Sequence, residues 1–307
     1  VMSYEGATGW LVGPEGGGLA AMFPMMYYAR RGVGGQGIGV AEGAYQHALA
    51  YALDRKQGRS AIDGGTGTIM DHADVRRMLT SMKADIFASR AIALKCAVAI
   101  DMGTATGDVS WKARAALLTP IAKAFGTEVG MRVSHDGVQV HGGMGFIEET
   151  GAAQYSRDVR VTAIYEGTNG IQAMDLVARK MMDGGEAAGA LLDEIAAAAE
   201  AARSNMPDLA EPVWQATETL RETTEWLVGQ SDFNDRFAGA VPYLMGFARV
   251  LGGYAHLLAA QSDRGGAREK LARFYIGRLL PEHTGHLAAA TVGAGDLYAL
   301  SVDELTA

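Results

Sequence analysis

The chain has 307 residues, a formal net charge of −8, 49% hydrophobic and 20% charged residues, and one cysteine. The length allows about two domains, the composition is that of a globular protein, and the acidic balance excludes the dense cationic surface that nucleic acid requires. No stretch of ~18 apolar residues offers a membrane span, Val1–Glu5 lacks signal-peptide features, and the lone Cys96 reads as a small buried hydrophobe in a reducing, cytoplasmic protein.

In chain order, residues 1–18 read as β structure and turns. Gly9-Trp10-Leu11-Val12-Gly13 is a short apolar run, and Pro14-Glu15-Gly16-Gly17-Gly18 is a turn cluster. One or two strands cannot stand alone, so the chain reads as beginning inside a domain. Helical spacing then predicts a helix over Met22–Arg55, with Pro24 near its start, and a second over Asp71–Gly103, with Asp71 as its N-cap. A third runs from Trp111 to Val140 and stops at Gly142-Gly143. A fourth begins after Thr168, a candidate cap, and ends near Met182. Four helices with short breaks predict an antiparallel bundle over 19–183. Asp183-Gly184-Gly185 marks a boundary, after which Glu186–Ser204, Pro207–Val228, Asn234–Asp263 and Ala267–Leu280 form a second helical domain over 186–307. The fold class is mainly α: the end of a β-domain, a four-helix bundle, then further helices.

Three stretches carry residues suited to chemistry. In Ile164-Tyr165-Glu166-Gly167-Thr168-Asn169-Gly170-Ile171-Gln172 a carboxylate precedes Gly-Thr at a helix start. Gly167 admits close approach of a ligand or backbone, and the free N–H groups of the first turn can bind an oxygen. The plainer reading is a glutamate complementing the helix dipole. In Gln139-Val140-His141-Gly142-Gly143-Met144-Gly145-Phe146 the paired glycines either stop the helix or expose amides to a phosphate. At the end of the first helix, Asp54-Arg55-Lys56-Gln57-Gly58-Arg59 either balances the helix C-terminus or lets Arg55 reach a pyrophosphate.

Other patterns are set aside. Gly32-Val-Gly34-Gly-Gln-Gly37 has the spacing of a dinucleotide fingerprint, but no strand precedes it; glycines so placed in a helix let it pack tightly. His283 and His286 with Glu282 read as a solvated turn near Pro281 and Gly285, and His141 has no partner at ligand spacing, so no metal is expected.

Arg30, the 54–59 run, Gln139–Phe146, Arg157-Asp158 and Ile164–Gln172 together, in this order, resemble the C-terminal half of the acyl-CoA dehydrogenase family over residues 1–182. On that resemblance, 1–18 is the tail of the middle β-domain and 186–307 the accessory helical domain of the larger members. The resemblance implies FAD as cofactor, with Glu166 as the catalytic base. Arg55 and Gln57 would reach the phosphates or adenosine of a neighbouring subunit's FAD. Gln139, Val140, Gly142 and Gly143 would contact that same FAD, and Thr168 would lie near the flavin. Arg30 and Gly167 would serve the acyl-CoA thioester end. Two positions depart from the family's pattern: Tyr27 stands for an acidic residue, and Gly170 for a glutamine.

The implied reaction is α,β-dehydrogenation to a trans-2-enoyl-CoA in fatty-acid metabolism. Glu166 takes the α-proton, its own N–H and a ribityl hydroxyl polarise the thioester carbonyl, and flavin N5 accepts the β-hydride. The implied partners are an electron-transferring flavoprotein and further copies of the chain, as a homodimer or dimer of dimers. Two alternatives remain open: an acyl-CoA oxidase passing electrons to O₂, and a non-catalytic helical scaffold.

Overall fold

The computed structural model describes residues 2–60 and 62–307. Among these, residues 2–17 are exposed turns and extended backbone, without a strand. The apolar side chains of Trp10, Leu11 and Val12 face solvent. A strand is completed by hydrogen bonding to a neighbour, and no second strand lies beside this run. The β ending expected there is therefore not formed, and Val1 lies outside the described residues.

Helix α1 (Gly18–Asp54) starts four residues before the predicted Met22, carrying Pro24 inside it. Helix α2 (Ala73–Thr106) is capped at His72, not at Asp71. Asp71 instead accepts hydrogen bonds from the Thr66 and Gly67 amides, at 3.1 and 2.8 Å, and tightens the preceding loop. Helix α3 (Val109–His141) begins at Asp108, whose side chain accepts from Ser110 N, and ends at Gly142. After the single turn α4 (Gly143–Phe146) comes α5 (Ala152–Arg160), which the sequence reading passed over. Helix α6 (Asn169–Ala178) begins at Thr168 as predicted, with its hydroxyl accepting from Ile171 N. It is much shorter than the first three and continues as a 3₁₀ turn to Met181.

The α1–α3 contact organises the bundle. A Cβ at Gly37 would lie 2.5 Å from the Gly126 carbonyl oxygen, and one at Gly130 would lie 2.8 Å from that of Gly37. The fingerprint-like glycines are thus a helix-packing ridge. Gly34 faces Ala122 and Ala44 faces Gly137, so α1 and α3 run in the same direction. Cys96 on α2 faces Ala115 and Thr119, and Asp85 faces Arg132, so α2 runs opposite to α3.

The turn at Asp183 is closed by its carboxylate accepting from Gly185 N and Ala187 N. Beyond it lie α7 (Glu186–Ala202), α8 (Pro207–Gly229), α9 (Phe233–Ala238), α10 (Ala240–Ser262), α11 (Ala267–Arg278), α12 (Glu282–Ala290) and α13 (Val302–Thr306). The predicted helix over Asn234–Asp263 is broken at Gly239, where a Cβ would lie 2.1 Å from the Ala290 carbonyl oxygen. The solvated turn expected at Pro281–Gly285 is the start of α12, because Glu282 is drawn to Arg249 at 2.5 Å and Leu287 packs inward against Gly246. Apolar side chains form one continuous core from α1 through α12, with α10 buried along most of its length.

Candidate active site

Glu166 sits in the turn between the 3₁₀ segment Val161–Ala163 and α6. Among the described residues it is the one non-glycine residue with positive φ, at +57°. A left-handed L-residue costs about 1–2 kcal/mol, so the surroundings must impose it. They do so through Gln172, which is wholly buried and donates from Nε2 to the Gly167 carbonyl at 3.1 Å and the Glu166 carbonyl at 3.5 Å. Gly167 follows at φ +85°, and a Cβ there would strike Gln172 Nε2 at 2.6 Å, so glycine is required on two counts. Tyr165 braces the turn from the other side by donating its hydroxyl hydrogen to Gln36 Oε1.

Arg30 lies under this turn, with Nη2 3.8 Å from the Cβ position of Gly167. Its Nη1 pairs with buried Asp175 at 3.1 Å, and Asp175 also holds Arg179 at 2.6 Å. The turn therefore brings Glu166, Gly167, Thr168 and Arg30 together. The sequence reading missed the floor beneath them. Lys123 of α3 is buried and donates from Nζ to Asn169 Oδ1 at 2.9 Å. Asn169 Nδ2 in turn donates to Glu128 Oε1 at 2.8 Å. A lysine inside the apolar run Leu117–Phe125 was the available signal.

A second site lies where α1 and α3 end. Arg55, Gln57, Val140 and Gly142 line a hollow of about 280 Å³, together with Tyr51 and His72. Gln139 lies beside it, its carbonyl accepting from Gly142 N at 3.0 Å, and Gly143 follows in the chain. Gly142 has φ +62°, which turns the backbone out of the helix. His141 is buried and stacked on Tyr51, with ring centroids 4.4 Å apart. Its Nδ1 pairs with the Gly137 carbonyl at 2.7 Å, while Nε2 has no partner. Burial pushes its pKa down and the Gly137 carbonyl raises it, leaving it below the usual histidine value.

The two sites are not one groove. Tyr165 reaches Gln36 at the middle of α1, whereas Arg55 follows its last residue, roughly 30 Å further along the helix at 1.5 Å per residue. Within one protomer the Gly142-Gly143 pair therefore does not approach Glu166.

The fold is a helical bundle with a strained carboxylate midway along α1 and an arginine–glycine hollow where α1 ends. The chain belongs to the acyl-CoA dehydrogenase family: the family model described as "Acyl-CoA dehydrogenase, C-terminal domain" matches residues 16–182. A second, "Acetyl-CoA dehydrogenase C-terminal like", matches residues 191–301.

The chain is 41% identical over 288 residues to 3-methylmercaptopropionyl-CoA dehydrogenase of Ruegeria pomeroyi, covering 88% of this chain and 49% of that one. It thus spans about half the length of this relative. Among solved structures, an acyl-CoA dehydrogenase complexed with FAD from Bacillus anthracis superposes with a TM-score of 0.73 at 18% identity, covering 95% of this chain and 53% of that one. Caenorhabditis elegans ACDH-11 in complex with C11-CoA gives 0.73 at 21% identity, covering 86% and 45%. These two likenesses concern the fold. No helix among the described residues is long and apolar enough to cross a membrane.

Proposed function

We propose that this chain carries the base-bearing helical part of an FAD-dependent acyl-CoA dehydrogenase, with Glu166 removing the α-proton of an acyl thioester. The observation that supports this most directly is the left-handed backbone at Glu166, imposed by buried Gln172 at a turn floored by Arg30. Strain of this kind persists where the surroundings over-determine it, and it turns the carboxylate away from the course a relaxed turn would give it.

The chain's own residues divide the work. The Glu166 carboxylate accepts the proton from the α-carbon, and its backbone N–H is the candidate donor to the thioester carbonyl, which acidifies that C–H. Arg30, neutralised by Asp175, fixes the floor of the turn beside Gly167. Thr168 holds the first turn of α6 closed. The flavin, when bound, supplies the two-electron acceptor for the β-hydride, and a trans-2-enoyl-CoA is the product.

The hollow between α1 and α3 fits an anionic dinucleotide. Arg55 offers a guanidinium to the anion, Gly142 leaves the helix there with positive φ, and His141 Nε2, a buried acceptor without a partner, suits a ribose hydroxyl or adenine amine of such a ligand rather than its phosphates. Val140 and Gln57 line that hollow, with Gln139 and Gly143 next to its lining residues in the chain. Its distance from Glu166 implies that base and hollow serve different flavins, which supports a homodimer or dimer of dimers. We further propose an electron-transferring flavoprotein as acceptor.

The test is anaerobic mixing of the flavin-loaded protein with a panel of acyl-CoAs, including a methylthio-substituted one. Flavin absorbance should bleach, and Glu166→Gln should bind ligand yet lose bleaching by orders of magnitude. Retained bleaching in that variant removes Glu166 from the reaction. Stoichiometric hydrogen peroxide in air would identify an oxidase instead.

A further inference from the structure

We infer that Lys123 is a positioning residue for Glu166: its buried ammonium, fixed through Asn169, clamps the first turn of α6 and so holds the left-handed backbone at Glu166. The inference rests on the reading of Glu166 as the base.

Lys123 has 0% exposure and lies on the face of α3 that meets α1 and α6. Its ammonium has one hydrogen-bond partner, Asn169 Oδ1 at 2.9 Å, and the Thr127 hydroxyl donates to the same oxygen at 3.2 Å. The other end of that amide is fixed as well, with Nδ2 donating to Glu128 Oε1 at 2.8 Å. The amide thus points its oxygen at a cation and its nitrogen at a carboxylate, an arrangement that leaves no alternative orientation.

Asn169 stands three residues after Glu166 and is the first residue of α6. One turn downstream, Gln172 ties down the carbonyls of Glu166 and Gly167, Thr168 caps the helix, and before Glu166 the Tyr165 hydroxyl is bound to Gln36. With Asn169 anchored into α3, the turn is held at both ends. A buried ammonium with a single neutral partner is costly. An apolar side chain would fill the same slot without that cost, so charge at this position answers to something other than packing.

The charged groups that face Lys123 come from each neighbouring element: Arg30 from α1, Glu128 from α3 itself, and Glu166 from the turn. Asp175 of α6 is occupied by Arg30 and Arg179. Burial lowers the lysine pKa to about 8; Glu128 and Glu166 raise it and Arg30 lowers it, so the ammonium and the proposed base interact.

The test uses the full chain without flavin or acyl-CoA, so its outcome is independent of whether Glu166 proves to be the base. Lysine side-chain NMR should show one lysine, absent in Lys123→Met, titrating near the value above. In Glu166→Gln that titration should move down by about half a pH unit, the size expected for a partly screened ammonium–carboxylate pair. An unchanged titration would mean that the ammonium does not lie close to the Glu166 carboxylate, and that result overturns the inference. Lys123→Met should also speed amide hydrogen exchange of Gly167 to Gln172 about ten-fold, with α7 and α8 unaffected. If that variant does not fold, Asn169→Leu cuts the same bond from α6 and should give the same local acceleration. Unchanged protection at these amides would equally refute the clamp.

Discussion

Arg249 of α10 is completely buried, and its Nη1 lies 2.6 Å from Asp85 Oδ1 on α2, a charge pair set within the apolar core that joins the bundle to the helices after Gly185. Arg249 Nη2 also reaches Glu282 at 2.5 Å, and Arg132 pairs with Asp85 and Glu282. Removing one member of a buried pair leaves an uncompensated charge, so Asp85→Ala should destabilise the chain by roughly 3–5 kcal/mol. The double variant Asp85→Leu/Arg249→Met should recover most of that loss, as read from urea unfolding of both.

The glycine ridge makes a second prediction. At Gly37 a Cβ would press on the Gly126 backbone, whereas at Gly35 it meets nothing within 4 Å. Gly37→Ala should therefore cost about 1–3 kcal/mol through forced separation of α1 and α3. Gly35→Ala should be neutral or stabilise by up to ~1 kcal/mol, because alanine is the better helix former. Thermal unfolding of the two variants checks the contrast, and equal effects would mean that the helices do not cross here.

Glu166 makes a third. Its φ of +57° suits glycine, so Glu166→Gly should be more stable than Glu166→Gln by about 1 kcal/mol. The same change should abolish flavin bleaching. A more stable yet inactive variant is the signature of strain kept for function, and denaturant midpoints alongside the bleaching assay decide it.

The pH dependence supplies a fourth. His256 is stacked on Tyr275 and bonded through Nε2 to the Ala84 carbonyl at 3.1 Å. Burial first, opposed by that bond, brings its pKa from 6.5 to about 4. The folded form thus binds its proton more weakly than the unfolded chain. Its contribution to stability is intact above about pH 6.5, falls as the pH drops through the window, and is lost below about 4. The full effect is on the order of 3 kcal/mol. His256→Phe, which keeps an aromatic ring against Tyr275, should flatten stability between those two values in pH-resolved urea titrations.

Much of the site was legible because its logic is local. Thr168 caps the helix that follows it, Gly167 admits a left-handed turn, and glycines at helical spacing pack a helix closely; each depends on neighbours within a few residues. Asp71 shows the limit of local reading: it has the chemistry of a helix cap, yet the loop at Thr66 and Gly67 claims its oxygens first. Glu282 shows the same limit, since its helix forms around Arg249, distant in sequence. The contacts Lys123–Asn169 and Arg249–Asp85 could not be read in advance, because no periodicity tells which buried charges will meet.

The amino-acid sequence alone determined the mainly helical class and the family, and it singled out Glu166 as the candidate base, because these rest on spacing and on short motifs. Tertiary structure decided that this carboxylate would be strained, that a lysine on another helix would underlie it, and that the hollow lined by Arg55 and Gly142 would lie where α1 ends. Such outcomes depend on which helix faces meet, and that is fixed by packing the whole core at once.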